Sequence, residues 1–92
     1  MERNIYVMVD SVSGMVAEPF VMANDAELKR MFKPIAQSGS VPIHVLRDTV
    51  VFHLGKLVAD TEVPRIDPAP WSNVVLRGDA YVQYHPDFKE EV

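Results

Sequence analysis

The sequence predicts an α+β domain: an antiparallel sheet of four or five strands with one amphipathic helix packed on one face. Three observations predict it. Residues 5–10 (IYVMVD) and 49–54 (TVVFHL) are short runs rich in β-branched and aromatic side chains. Between them, residues 24–33 carry a capped helical pattern. The chain has 92 residues, enough for one domain and too few for two.

The first strand places Ile5, Val7 and Val9 on one face and Tyr6 and Met8 on the other. Both faces are apolar, so this strand is expected at the centre of the sheet. Ser11, Ser13 and Gly14 supply a turn, with Gly14 free to take positive φ. Residues 15–22 return as a second strand. Pro19 cannot donate to a ladder, so this strand is an edge there or carries a bulge.

The helix follows. Asn24 is a good N-cap, and Glu27 stands three residues on, as in a capping box. Asp25 and Glu27 put negative charge at the start, and Lys29, Arg30 and Lys33 put positive charge further on. Leu28, Met31, Phe32 and Ile35 form a buried stripe. Pro34 is expected to end the helix at Lys33 or to kink it.

Residues 37–40 read as a turn, and 41–46 as a short apolar segment interrupted by Pro42. In the strand 49–54, Val50, Phe52 and Leu54 share the face expected to enter the core. Gly55 marks a bulge before residues 56–59 continue the strand. Residues 60–72, with Pro64, Pro68 and Pro70, read as an irregular loop. Residues 73–76 and 80–84 read as a closing hairpin around Gly78. The domain is thus expected over residues 1–84, with 85–92 a charged tail.

Composition narrows the function classes. Apolar residues make up 48% and charged residues 24%, an ordinary globular balance that excludes disorder throughout. There is no cysteine, which excludes disulfide scaffolds, thiolate metal sites and cysteine nucleophiles. The net charge of −4 weighs against strong non-specific nucleic-acid binding but leaves room for a local basic patch. The opening residues are not a signal peptide, and no apolar run is long enough to span a membrane. A soluble intracellular protein is the expectation.

The segment VDSVSG at 9–14, the Pro19-Phe20 pair and NDAELKRMF at 24–32 together resemble the small nonstructural protein of gokushovirus-like microviruses, which are single-stranded DNA phages. DTVVFHLGKL, residues 48–57, extends the likeness, which covers about the first 60 residues. The family carries aspartates directly after that glycine. Here Lys56, Leu57, Val58 and Ala59 intervene before Asp60, and residues from Pro64 onward have no counterpart. The resemblance implies an accessory protein in the host cytoplasm, acting around DNA replication or packaging. Its partners would be single-stranded DNA, bound weakly, or the phage or host proteins that handle it. The family has no catalytic motif, so no functional residue carries over.

The residues themselves offer no enzyme constellation. His44, His53 and His85 are scattered, and the glycines are isolated. Asp10-Ser11 reads as a strand end with turn-favouring side chains rather than an acid and a nucleophile. No catalytic activity, cofactor or metal is expected. The basic triplet Lys29, Arg30 and Lys33 is the candidate for phosphate contact, although the same charges complement the helix dipole. Tyr81 and Tyr84 are candidates for stacking on bases, but a regular strand would send them to opposite sides. Trp71 is the candidate for contact with a partner, or an anchor for its loop. Short edges and a flat apolar face predict self-association, most simply a two-fold dimer. The alternative to DNA binding is a protein-interaction module that docks through the acidic second half.

Overall fold

The computed structural model describes residues 3–59 and 63–89, with backbone alone for 70–72. Four strands form one antiparallel sheet: β1 (Asn4–Asp10), β2 (Phe20–Met22), β3 (Thr49–Val58) and β4 (Arg65–Arg77), in the order β2-β1-β3-β4. Helix α1 (Asp25–Ser38) is the main helix, followed by the short α2 (Ile43–Asp48). Two 3-10 turns, Gly78–Ala80 and Val82–Tyr84, follow β4. The fold is α+β, and β1 lies inside the sheet as its two apolar faces require.

The turn after β1 is built by Asp10. Its carboxylate accepts the backbone N–H groups of Val12 at 2.9 Å and Ser13 at 3.1 Å. These donors hold the Asp10 carboxyl below the usual carboxylate range. Gly14 takes φ 75°. The returning chain meets β1 at an isolated Val9–Val16 bridge and pairs again where Phe20 faces Tyr6. That spacing uses one more residue on the returning side, so Pro19 sits in a bulge on an edge strand.

The register assigns the faces. Tyr6 pairs with Phe20 and His53, and Met8 pairs with Val51, which pairs with Leu76. This row of side chains meets Leu28, Phe32 and Ala36 of α1 and Leu46 of α2 in the core. Val51 is therefore the β3 residue that meets the helices, with no exposed area, while Val50 on the other face is also buried, at 8%. The face expected to enter the core, that of Val50, Phe52 and Leu54, is the other one. Val7 opposes Phe52, and Val9 opposes Val50, on the side away from the helices. Leu54 is the extra residue at the bulge and is 38% exposed. The run VVF is apolar at every position, so alternation defines two faces without saying which one the helices cover.

Other expectations are corrected as well. Helix α1 runs through Pro34 to Ser38 instead of stopping at Lys33, and Gly39 caps it at φ 70°. Pro34 removes only the bond to the Arg30 carbonyl, and both residues are exposed, so water can satisfy that group. Residues 41–46 supply most of α2. Of the predicted loop 60–72, residues 60–62 lie outside the described residues, and from Arg65 onward the chain is strand β4. Across the bulge His53 pairs with Asn73 and Gly55 with Pro68, so residues 69–72 are unmatched by β3. The closing hairpin is absent. Residues 73–76 belong to β4, and residues 80–84 wind into the 3-10 turns.

His85, expected to open the charged tail, is 4% exposed. Its Nε2 lies 2.7 Å from the Val41 carbonyl, and its Nδ1 accepts the Asp87 N–H at 3.0 Å. A carbonyl can only accept, so the ring is the neutral tautomer with its proton on Nε2.

Candidate nucleic-acid interface

Helix α1 and the C-terminal 3-10 turns build the candidate site. The helix begins where Asn24 Oδ1 accepts the Glu27 N–H at 2.8 Å, as the capping reading requires. Leu28, Phe32 and Ala36 bury its inner face. Lys29 and Lys33 lie one turn apart and exposed. Tyr6 ties the first turn to the sheet: its hydroxyl donates to Asp25 Oδ1 at 2.7 Å.

The turns are placed by close packing. Gly78 abuts the Leu46 carbonyl so tightly that a Cβ there would clash with its oxygen. The chain then winds so that Tyr81 and Tyr84 fall on one side, because residues three apart eclipse in a 3-10 turn. Their ring centroids are 6.1 Å apart. Tyr81 packs edge-on against Phe32 at 5.0 Å. Lys33 Nζ stands over the Tyr84 ring, 4.6 Å from its centroid, within cation–π range.

The structure thus brings together Lys33, Tyr81 and Tyr84, with Lys29 one turn back along the helix. The expectation that the two tyrosines diverge is corrected, since they are not on a strand. Arg30 does not join them. It lines an open cleft of about 430 Å³ with Met22, Asn24, Ala26, Glu27 and Met31. Trp71 lies on the unmatched bulge of β4, and its side chain is outside the described residues.

What the cluster can do is limited and definite. It offers an ammonium to a phosphate and a phenol face to a base. One Tyr84 face is already under Lys33, so a base stacking there must displace the ammonium. Both tyrosines are half-buried and packed against the core, which fixes their rings while leaving part of each accessible.

A second polar group was not visible in the sequence. Asn4, buried in the sheet, donates from Nδ2 to the Ala23 carbonyl at 2.6 Å, and its Oδ1 lies 3.0 Å from His53 Nε2. Because that Oδ1 can only accept, His53 carries a proton on Nε2. The Tyr6 ring sits against His53 at 5.3 Å and Phe20 at 5.8 Å. This group joins β2, β1 and β3 and satisfies its own polar atoms, so it reads as structure rather than as a site. Its partners are 19 and 49 residues apart in the chain, beyond any local motif.

No protein-family model, no curated protein and no solved structure matches this chain.

Proposed function

We propose that this chain is a nonstructural accessory protein of a microvirus-like, single-stranded DNA phage. In this reading it works in the host cytoplasm around replication or packaging, through weak contact with single-stranded DNA. The likeness of its first 60 or so residues to that family motivates the phage context. The observation that carries the DNA contact is the meeting of Lys33 with Tyr84 at 4.6 Å, beside Tyr81. A cation and a stacking ring side by side are the two elements of single-strand recognition. Two lysines and two rings make a small site on a chain of net charge −4, so the contact should be weak and strongly salt-dependent.

Titration of a labelled single-stranded oligonucleotide, beside a duplex of the same sequence, tests this from low salt upward. Single-strand binding should appear at low salt and weaken by about 0.7 in log affinity per log unit of salt for each phosphate contact. Absence of binding to either probe at low salt, by protein shown to be folded, would rule the DNA reading out.

A second reading, a protein-interaction module for phage or host replication and packaging proteins, is supported by a different feature. The cleft between β2 and the start of α1 places Met22 and Met31 beside Arg30 and Glu27. Methionine side chains adapt to varied apolar partners, and the flanking charges can set orientation. Under this reading the DNA titration is null, and Met31→Lys abolishes capture of the partner.

A further inference from the structure

We infer that His85 is the positioning residue for the Lys33–Tyr84 pair and makes that pair sensitive to acid. With a neutral ring it clamps the exit of the second 3-10 turn onto the connection between α1 and α2. Protonation opens the clamp.

Four hydrogen bonds on one residue build the clamp. The His85 N–H closes the 3-10 turn on the Val82 carbonyl at 3.0 Å, and the His85 carbonyl accepts the Phe88 N–H at 3.0 Å. Its ring donates from Nε2 to the Val41 carbonyl at 2.7 Å and accepts the Asp87 N–H on Nδ1 at 3.0 Å. Among the described residues, the Val41 bond is the one hydrogen bond from the 3-10 turns and their exit to the helices and their connection. Beside it Pro86 packs on Gly39, the C-cap of α1, where a Cβ would lie 2.8 Å from Pro86 Cγ.

The clamp sits next to the pair it positions. Tyr84 directly precedes His85. Lys33 rides on α1 and Tyr84 on the turn, so the 4.6 Å between Lys33 Nζ and the ring centroid depends on how the turn is fastened to the helices. Tyr81 against Phe32 fastens the start of the turns. His85 fastens their end.

The ring can do this only when neutral. A neutral imidazole has one donor and one acceptor, and both are in use here. An imidazolium has two donors. Its Nδ1–H would point at the Asp87 N–H, donor against donor, in a residue only 4% exposed. The extra proton and the clamp therefore exclude one another.

No carboxylate is bonded to the ring to offset that charge. The receiving connection, residues 39–42, has no titratable side chain. From α1, Lys33 brings a like charge to the adjoining tyrosine. Helix α2 carries His44, Arg47 and Asp48, and the exit segment carries Asp87 and Lys89, both exposed. The Asp87 carboxylate can take the new Nδ1–H bond once the Asp87 N–H has turned away, which is itself the release.

Proton NMR of the full chain tests this. The Tyr84 ring current should displace the Lys33 ε-protons upfield at about pH 7.5, and that displacement should be lost by about pH 5 as the His85 ring titrates. The amide signals of β1 and β3 should stay in place. His85→Gln keeps an amide donor for Val41 and does not titrate, so its Lys33 signal should be the same at both pH values. His44→Gln should respond as the wild type does. A Lys33 displacement that survives at about pH 5, whether or not the His85 ring takes a proton, would overturn the proposal. So would an acid response that persists in His85→Gln, or one in which the β1 and β3 signals vanish in step. If His85→Gln does not fold, the wild-type titration decides alone. The clamp's bearing on DNA rests on the proposed function, but this readout needs no DNA. A null DNA titration leaves the clamp standing, and a failed clamp leaves the DNA reading standing.

Discussion

The Tyr6 hydroxyl donates to Asp25 Oδ1 at 2.7 Å from a ring with no exposed area. One bond joins the central strand to the first turn of the main helix. Burial, and then the hydrogen bond and charge of Asp25, push the phenol well above the ordinary tyrosine range. A folded-state pKa above the unfolded value of about 10 gives a definite sign. The contribution is fully present below pH of about 10 and is lost as pH rises towards the folded pKa. The tyrosinate absorbance of the wild type minus that of Tyr6→Phe should therefore appear only as circular dichroism is lost in alkali. At neutral pH, Tyr6→Phe should cost about 1–2 kcal/mol in urea denaturation, since the carboxylate loses a donor but stays hydrated. A Tyr6 signal that titrates while the fold is intact would contradict this placement.

The two faces of β3 should respond differently to truncation. Val51→Ala removes two methyl groups from the core and should cost about 2–3 kcal/mol at any protein concentration. Phe52→Ala acts on the opposite face. If the chains self-associate through that face, its cost should grow with protein concentration, because part of it then falls on association. Urea midpoints measured at two widely separated concentrations distinguish the two. Equal, concentration-independent losses would assign both residues to one core.

Gly78 should tolerate no side chain. A Cβ at that position would meet the Leu46 carbonyl oxygen and crowd that of Thr49. Backbone must move, so Gly78→Ala should cost at least about 2–3 kcal/mol and displace the turns that carry Tyr81 and Tyr84. A thermal midpoint close to wild type would show that α2 and the first 3-10 turn do not touch.

The proposed DNA contact makes a separable prediction. Lys29→Gln with Lys33→Gln should weaken single-strand binding and flatten its salt slope by about 1.4 if each lysine neutralises one phosphate. Tyr84→Leu should weaken binding with little change of slope, because stacking releases few ions. Arg30→Gln should have little effect, since Arg30 lines the other cleft. Equal effects of Arg30 and Lys33 would mean that the whole helix surface, rather than the Lys33–Tyr84 cluster, meets the strand.

Much of the architecture was legible locally. The Asp10 turn, the Asn24 cap, the edge at Pro19 and the central place of β1 each rest on residues within a few positions of one another. Hydrogen-bond chemistry and side-chain alternation act over that range, so the sequence by itself determined them, along with the α+β class and the candidate lysines and tyrosines. Three features were decided only in the folded chain. Alternation divides VVF between two faces, but the pairing of Met8 with Val51 puts Val51 under the helices. Pro34 forbids one hydrogen bond, but burial of Leu28, Phe32 and Ala36 on a common face stabilises the helix through it. Residues 80–84 alternate well enough for a strand, but seating Gly78 against Leu46 and Tyr81 against Phe32 requires turns. Those turns bring Tyr84 beneath Lys33, across 51 residues of chain. Contacts between segments so far apart form only when packing gains outweigh local preference, and no local pattern encodes that balance.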